Sequence, residues 1–168
     1  MIKGILFDKD GTLIDFFSLW LGAAKSFVTQ FLKENNLSEE VKECVFHAMG
    51  IENGEIDPYG GLAYKSYSEI AMDITDELSR EQIYLESRKV RMQLERLFSD
   101  YVTESQAQYV ETADIKAVLD ALKQRDIRVG LATADTVRSA RNCLQRLGVL
   151  EKFDYVGADD GVLRPKPE

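Results

Sequence analysis

An apolar run that halts on two acids constrains this chain more than any other feature. Ile2, Ile5, Leu6 and Phe7, interrupted only by Lys3 and Gly4, lead straight into Asp8-Lys9-Asp10-Gly11-Thr12. A short apolar run closed by a turn residue reads as a buried strand of a parallel sheet. Two carboxylates two residues apart lie on the same side of an extended chain. Gly11 then lets the backbone turn sharply without a side-chain clash. Acids at the end of a buried strand make a poor core. They suit the crevice beyond the carboxyl ends of strands, where open α/β sheets bind ligands. Two other readings compete. An Asp-Gly loop is commonly a solvated turn. A calcium loop counted from Asp8 would place Thr12 at its third ligand position and Leu19 where a bidentate Glu is needed, so it is excluded.

A chain of 168 residues suits one domain, or a small core with an insertion. Hydrophobic content of 45% against 30% charged is that of a globular protein, so a packed core is expected. The net charge of −8 argues against nucleic-acid and anionic-membrane partners. It also means that an anionic substrate needs a local positive site. Cys44 and Cys143 sit in apolar, helix-like patterns and read as two buried thiols in a reducing compartment. His47 has no companion ligands and reads as a surface or core side chain. Met1 leads directly into the first strand without a signal peptide, and no apolar run reaches the roughly 20 residues of a membrane span. The cytoplasm is the expected location.

After Leu13 the period changes. Phe17, Leu21, Ala24, Val28 and Phe31 or Leu32 recur at helical spacing from Phe16 to Asn35, with Phe16, Trp20 and Phe27 widening the stripe. Ser38 is expected to cap a second helix reaching Met49. The Gly- and Asp-rich stretch 50–61 reads as a packed loop, a helix is expected from Ser66 to Thr75, and Ser79 is expected to cap a long helix from Arg80 to Val102. Residues 16–110 thus read as a helical domain without strands, whose apolar stripes are core packing. From residue 111 the alternation returns. Thr112 caps a helix to Arg125, Ile127–Ala132 is a strand ending at Thr133, Asp135 or Thr136 caps a helix closed by Gly148, and Phe153–Val156 is a third strand. Such alternation specifies a parallel sheet with crossover helices.

Three signals stand in order: Asp8 and Asp10 after the first strand, Thr133 after the second, and Lys166 after the third, within Arg164-Pro165-Lys166-Pro167. With D-x-D-G-T-L and a helical insertion directly behind it, the chain resembles the haloacid dehalogenase superfamily, most closely its phosphoglycolate phosphatase-like members. The resemblance implies an α/β fold: a Rossmann-like parallel three-layer core at 1–15 and 111–168, incomplete at its C-terminal end, with an all-helical cap at 16–110. It implies that Asp8 is the nucleophile and that Asp10 is the general acid and base, with a carboxyl group that takes up a proton more readily than an ordinary Asp. Mg²⁺ would be held at Asp8 and Asp10. Gly11, Thr12, Thr133 and Ala134 would bind the substrate phosphate, helped by exposed N–H groups at the following helix start. Lys166 would pair with Asp8 and the phosphoryl group. The loop Asn53–Ala71 resembles the cap segment that faces the site in such members. Lys9 stands where the family often has an apolar residue; it either faces solvent or lends charge to the site. Asp135, where an Asn is common, reads as a helix N-cap.

The family pattern continues past the lysine into a further acidic motif that these 168 residues do not contain. A fragment, a truncated product or half of an assembly are all compatible with this, and a longer parent is expected to be the more active form. The first strand would then be a sheet edge, which offers a route to self-association. The expected partner is a small phosphorylated metabolite. Three other functions compete with a Mg²⁺-dependent phosphomonoester hydrolase. A sugar-phosphate mutase would use the same machinery. A non-catalytic binding module would keep the fold alone. A phosphoacceptor receiver domain leaves the helical insertion unexplained.

Overall fold

The computed structural model describes residues 2–103 and 107–159. In chain order the elements are β1 (Gly4–Phe7), α1 (Phe16–Glu34), a 3-10 turn (Glu39–Val41), α2 (Lys42–Ala48), β2 (Ile51–Glu52), β3 (Glu55–Ile56), α3 (Gly61–Tyr64), α4 (Tyr67–Arg80), α5 (Ser87–Thr103), α6 (Ile115–Lys123), β4 (Arg128–Thr136), α7 (Val137–Arg146), a second 3-10 turn (Leu150–Lys152) and β5 (Tyr155–Asp159). They form two compact units, Met1–Leu19 with Gln108–Glu168, and Trp20–Ala107.

The first unit is an incomplete parallel α/β core. Its sheet runs β1-β4-β5, all parallel, so β1 is an edge among the described residues. Gly4 to Phe7 register with Arg128 to Leu131. Strand side chains alternate between faces, and one face is apolar and covered. Val129 and Leu131 bury there with Leu13, Ile115, Leu119, Ala140, Leu144 and Val149. Phe7, Val156 and Ala158 pack against that cluster. The opposite face carries Leu6 and Tyr155, which remain 62% and 61% exposed. The expectation that β1 is a buried strand therefore fails for the described residues. Its four residues alternate between exposed and half-buried because only one face meets helices.

The second unit is helical, with apolar faces of α1, α2, α4 and α5 inside. Phe27, Phe31 and Phe98 are almost wholly buried. The Phe98 ring lies 5.7 Å from each of Trp20, Phe27 and Tyr67, within the range of favourable aromatic pairs. α1 ends where Asn36 adopts φ 53°, with Leu37 N–H donating to Leu32 O. That is the left-handed cap a helix terminus favours.

Several boundaries differ from the sequence expectation. Ser38 caps the 3-10 turn, and the α-helix begins only at Lys42. The stretch read as a loop holds a small antiparallel hairpin, β2–β3, around Asn53 and Gly54 at φ 52° and 79°. Two successive positive φ values are what a tight hairpin turn needs, and Asn-Gly supplies them. Ser66 does cap its helix, through a capping box with Glu69, but α4 continues to Arg80. Ser79 lies inside α4 and bonds back to Asp76 O, so it does not start α5. α6 is capped by Asp114, not Thr112. The Thr112 hydroxyl instead donates to Thr12 O at 2.5 Å. β4 extends to Thr136 and β5 to Asp159, beyond the expected strand ends.

Candidate functional site

The carboxyl end of β1 is held by a single carbonyl. Lys9 O accepts the N–H groups of Thr12, Leu13 and Ile14 at 3.3, 2.9 and 3.2 Å. Gly11 turns at φ 78° and donates its N–H to Ile14 O at 2.8 Å. Leu13 and Ile14 drive their side chains into the core. The turn is thus fixed from below by apolar burial and from within by hydrogen bonds. Asp8 and Asp10 are left half-buried on it, with Gly11 and Thr12 exposed.

The Lys9 side chain is the unexpected member. It is fully buried, at 0% exposure. Its Nζ lies 2.9 Å from Asp10 Oδ1 and 3.0 Å from Asp135 Oδ2. Asp135 Oδ2 also accepts from Ser139 Oγ at 2.6 Å, and Asp135 Oδ1 accepts from Thr136 N–H at 2.8 Å. The Asp135 N–H donates to Thr133 Oγ1 at 3.1 Å. A continuous polar chain therefore runs from Asp10 through Lys9 and Asp135 to Ser139, joining the β1 turn to the start of α7.

Burial alone would lower the pKa of Lys9. The Asp10 and Asp135 carboxylates outweigh that and hold it above the ordinary lysine value, so Lys9 stays charged. Asp10 thus has an ammonium 2.9 Å from its carboxylate. Of the two readings offered for Lys9, the structure excludes solvent and leaves the cation beside the acids. The adjacency of Lys9 to Asp10, with a further acid at Asp135 where an Asn is common, was the available signal.

The remaining expected site residues fall as follows. Thr133 is buried near the end of β4, and its hydroxyl oxygen accepts from Asp135 N–H. Ala134 is exposed. Asp135 is not the N-cap of α7; Thr136 is, accepting from Ser139 N–H at 3.2 Å. The helix start expected to offer free N–H groups is thus partly occupied, with Thr136 N–H held by Asp135 and Ser139 N–H by Thr136. Lys166 lies outside the described residues. Cys143 is buried, and burial pushes its thiol up to about 12, which removes it as a nucleophile at neutral pH. Cys44 is only half-buried, so the expected pair of buried thiols reduces to one. His47 is a surface side chain, 3.7 Å from Glu52 and 3.8 Å from Glu77.

The model of one family, the haloacid dehalogenase-like hydrolases, matches residues 2–168. The chain belongs to that family. A Clostridium perfringens protein provisionally named pyrophosphatase PpaX is 27% identical over the whole of this chain, which spans 65% of that relative's length. Among solved structures, a predicted phosphoglycolate phosphatase of Haemophilus somnus aligns with 99% of this chain and 67% of its own, at TM-score 0.63 and 19% identity. CbbY of Rhodobacter sphaeroides, solved with phosphate, aligns with 100% of this chain and 68% of its own, at TM-score 0.60 and 19% identity. At such identities these neighbours establish the fold alone.

The family implies a divalent cation. Among the described residues no three His, Cys, Asp or Glu side chains converge on a metal position. Mg²⁺ is usually held by one or two carboxylates, its other ligands being water and substrate phosphate. The half-buried Asp8 carboxylate and the backbone carbonyl of Asp10, on one turn at a strand end, supply oxygen donors of that kind, so they fit the ion.

Proposed function

We propose that the protein is a Mg²⁺-dependent phosphatase that hydrolyses a small organic phosphate monoester through a phosphorylated Asp8. The observation that carries this reading is the folded state of Asp8-Lys9-Asp10-Gly11-Thr12-Leu13. The motif sits at the carboxyl end of a parallel strand, on a turn fixed by Lys9 O, Leu13 and Ile14. A nucleophile needs such a rigid mount.

In this reading Asp8 Oδ attacks phosphorus, and the bond from phosphorus to the ester oxygen breaks. Asp10 gives its proton to the departing alkoxide. Asp10 then takes a proton from a water that attacks the aspartyl-phosphate, freeing Asp8 and orthophosphate. Thr133 and the Gly11–Thr12 turn would hold phosphate oxygens, with Ala134 beside them. Asp8 and the Asp10 carbonyl would hold Mg²⁺, which supplies charge neutralisation between the attacking carboxylate and the phosphate dianion. Lys166 would add a second cation at the phosphoryl group. Transfer to a second substrate hydroxyl in place of water would make the enzyme a mutase by the same first step, and product analysis separates the two.

The test is phosphate release from p-nitrophenyl phosphate with Mg²⁺. Asp8→Asn should lower it by about a thousandfold or more while the fold persists. Near-wild-type release from Asp8→Asn would refute the reading.

A further inference from the structure

We infer that Lys9 is a positioning residue, which ties the Asp10 carboxylate to the β4–α7 corner through Asp135. The inference rests on the phosphatase reading for its kinetic meaning, but its geometry stands alone. An exposed acid on a turn can rotate freely about its side-chain torsions. Asp10 is held by an ammonium that solvent does not reach, 2.9 Å away. That ammonium is itself held at 3.0 Å by Asp135 Oδ2. Asp135 is in turn fixed on both oxygens, by Ser139 Oγ at 2.6 Å and Thr136 N–H at 2.8 Å. At its other end Lys9 is immobilised by the three N–H groups that converge on its carbonyl. The Asp10–Lys9–Asp135–Ser139 links run from 2.6 to 3.0 Å, are buried or half-buried and are charge-assisted, the kind of hydrogen bond that fixes geometry best.

The arrangement has a directional consequence. A general acid or base contributes only when it lies within hydrogen-bond reach of the proton it moves. Lys9 places a cation behind Asp10 and couples its position to the strand that carries Thr133. Proton donor and phosphate-binding hydroxyl are thereby held from one corner of the sheet. Lys9 itself need touch neither substrate nor metal ion. A lysine with a merely structural role would slow every variant alike. A positioning lysine acts on the rate only through Asp10.

The experiment is a double-mutant cycle with a structural arm. Lys9→Met should lower kcat on p-nitrophenyl phosphate about a hundredfold with KM within about threefold, and should cost nothing further in an Asp10→Asn background. Asp135→Asn leaves the cation in place and removes its far anchor. It should cost about tenfold in kcat, and this loss should also vanish in the Asp10→Asn background. Crystal structures of Lys9→Met and Asp135→Asn should show the Asp10 carboxylate rotated or in more than one position. Losses that multiply with Asp10→Asn, or an Asp10 side chain unmoved in both variants, would overturn the inference. If the wild-type protein releases no phosphate, the functional reading fails, and the crystallographic arm still decides whether Lys9 positions Asp10.

Discussion

The two units bury different things, and the contrast separates what holds the protein together from what gives it chemistry. Among the described residues the helical unit buries Phe27, Phe31, Phe98, Ile74 and Leu94, and no charged side chain. One of its acids, Glu34, meets Arg96 at 2.6 Å and Gln93 at 2.8 Å while partly exposed. The α/β unit also has an apolar cluster, but beside it buries a lysine between two aspartates. Replacing such an ion pair with apolar side chains is often neutral or stabilising, so its presence is weak evidence for a stabilising role. Buried charge at the end of a strand is better explained by what it positions.

Truncation should break the contrast most visibly in the helical unit. Phe98→Ala removes the ring shared by three aromatic neighbours and should cost about 3–5 kcal/mol, read from urea denaturation. Lys9→Met should cost about 3 kcal/mol by the same measurement, because Asp10 and Asp135 lose their common cation. That figure lies at the low end for a broken buried pair, since both carboxylates keep some contact with solvent. A Lys9→Met protein as stable as wild type would mean that the two acids relax into water.

Alkaline pH offers a finer comparison. The folded pKa of Cys143 is about 12, above an unfolded value near 8.5. Its contribution is therefore complete below about pH 8.5 and is lost as pH rises towards 12. The difference between wild type and Cys143→Ala should narrow by about 2 kcal/mol between pH 8 and pH 10. A thiol reagent should leave Cys143 unmodified in the folded protein at pH 8. The smallest effect belongs to the surface network. Arg96 and Gln93 lower the pKa of Glu34, so its contribution is present above about pH 4.3 and is lost as pH falls through the folded value. Glu34→Gln should cost less than about 1 kcal/mol at pH 7, and still less in high salt.

Much of the architecture was legible because it rests on period and punctuation. The apolar run before Asp8, the stripe from Phe17 to Phe31 and the strand before Thr133 all emerged as elements, and Gly148 closes α7 at φ 68° as expected. What failed was competition between equivalent local signals. Ser79 and Thr112 each look like N-caps, but α4 continues through Ser79 because Leu78 is buried, and Thr112 is drawn to the carbonyls of Thr12 and Leu13. The Asn53-Gly54 turn between Ile51 and Ile56 is visible in the sequence, but strands of two residues are too short to show a period, so the stretch reads as a loop. The fate of Lys9 is only partly legible: Asp10 beside it and an acid at position 135 point towards the site, but not the direction of the side chain. In a turn no period dictates which way a side chain points, and its second partner lies in another strand.

The most direct test follows the phosphoryl group itself. The protein would be mixed with a radiolabelled phosphomonoester and Mg²⁺, quenched in acid within milliseconds, digested, and its labelled peptide sequenced. A transient, hydroxylamine-labile label on Asp8, missing from Asp8→Asn, is the predicted result. Turnover with label on any other residue, or labelling that survives Asp8→Asn, would contradict the account.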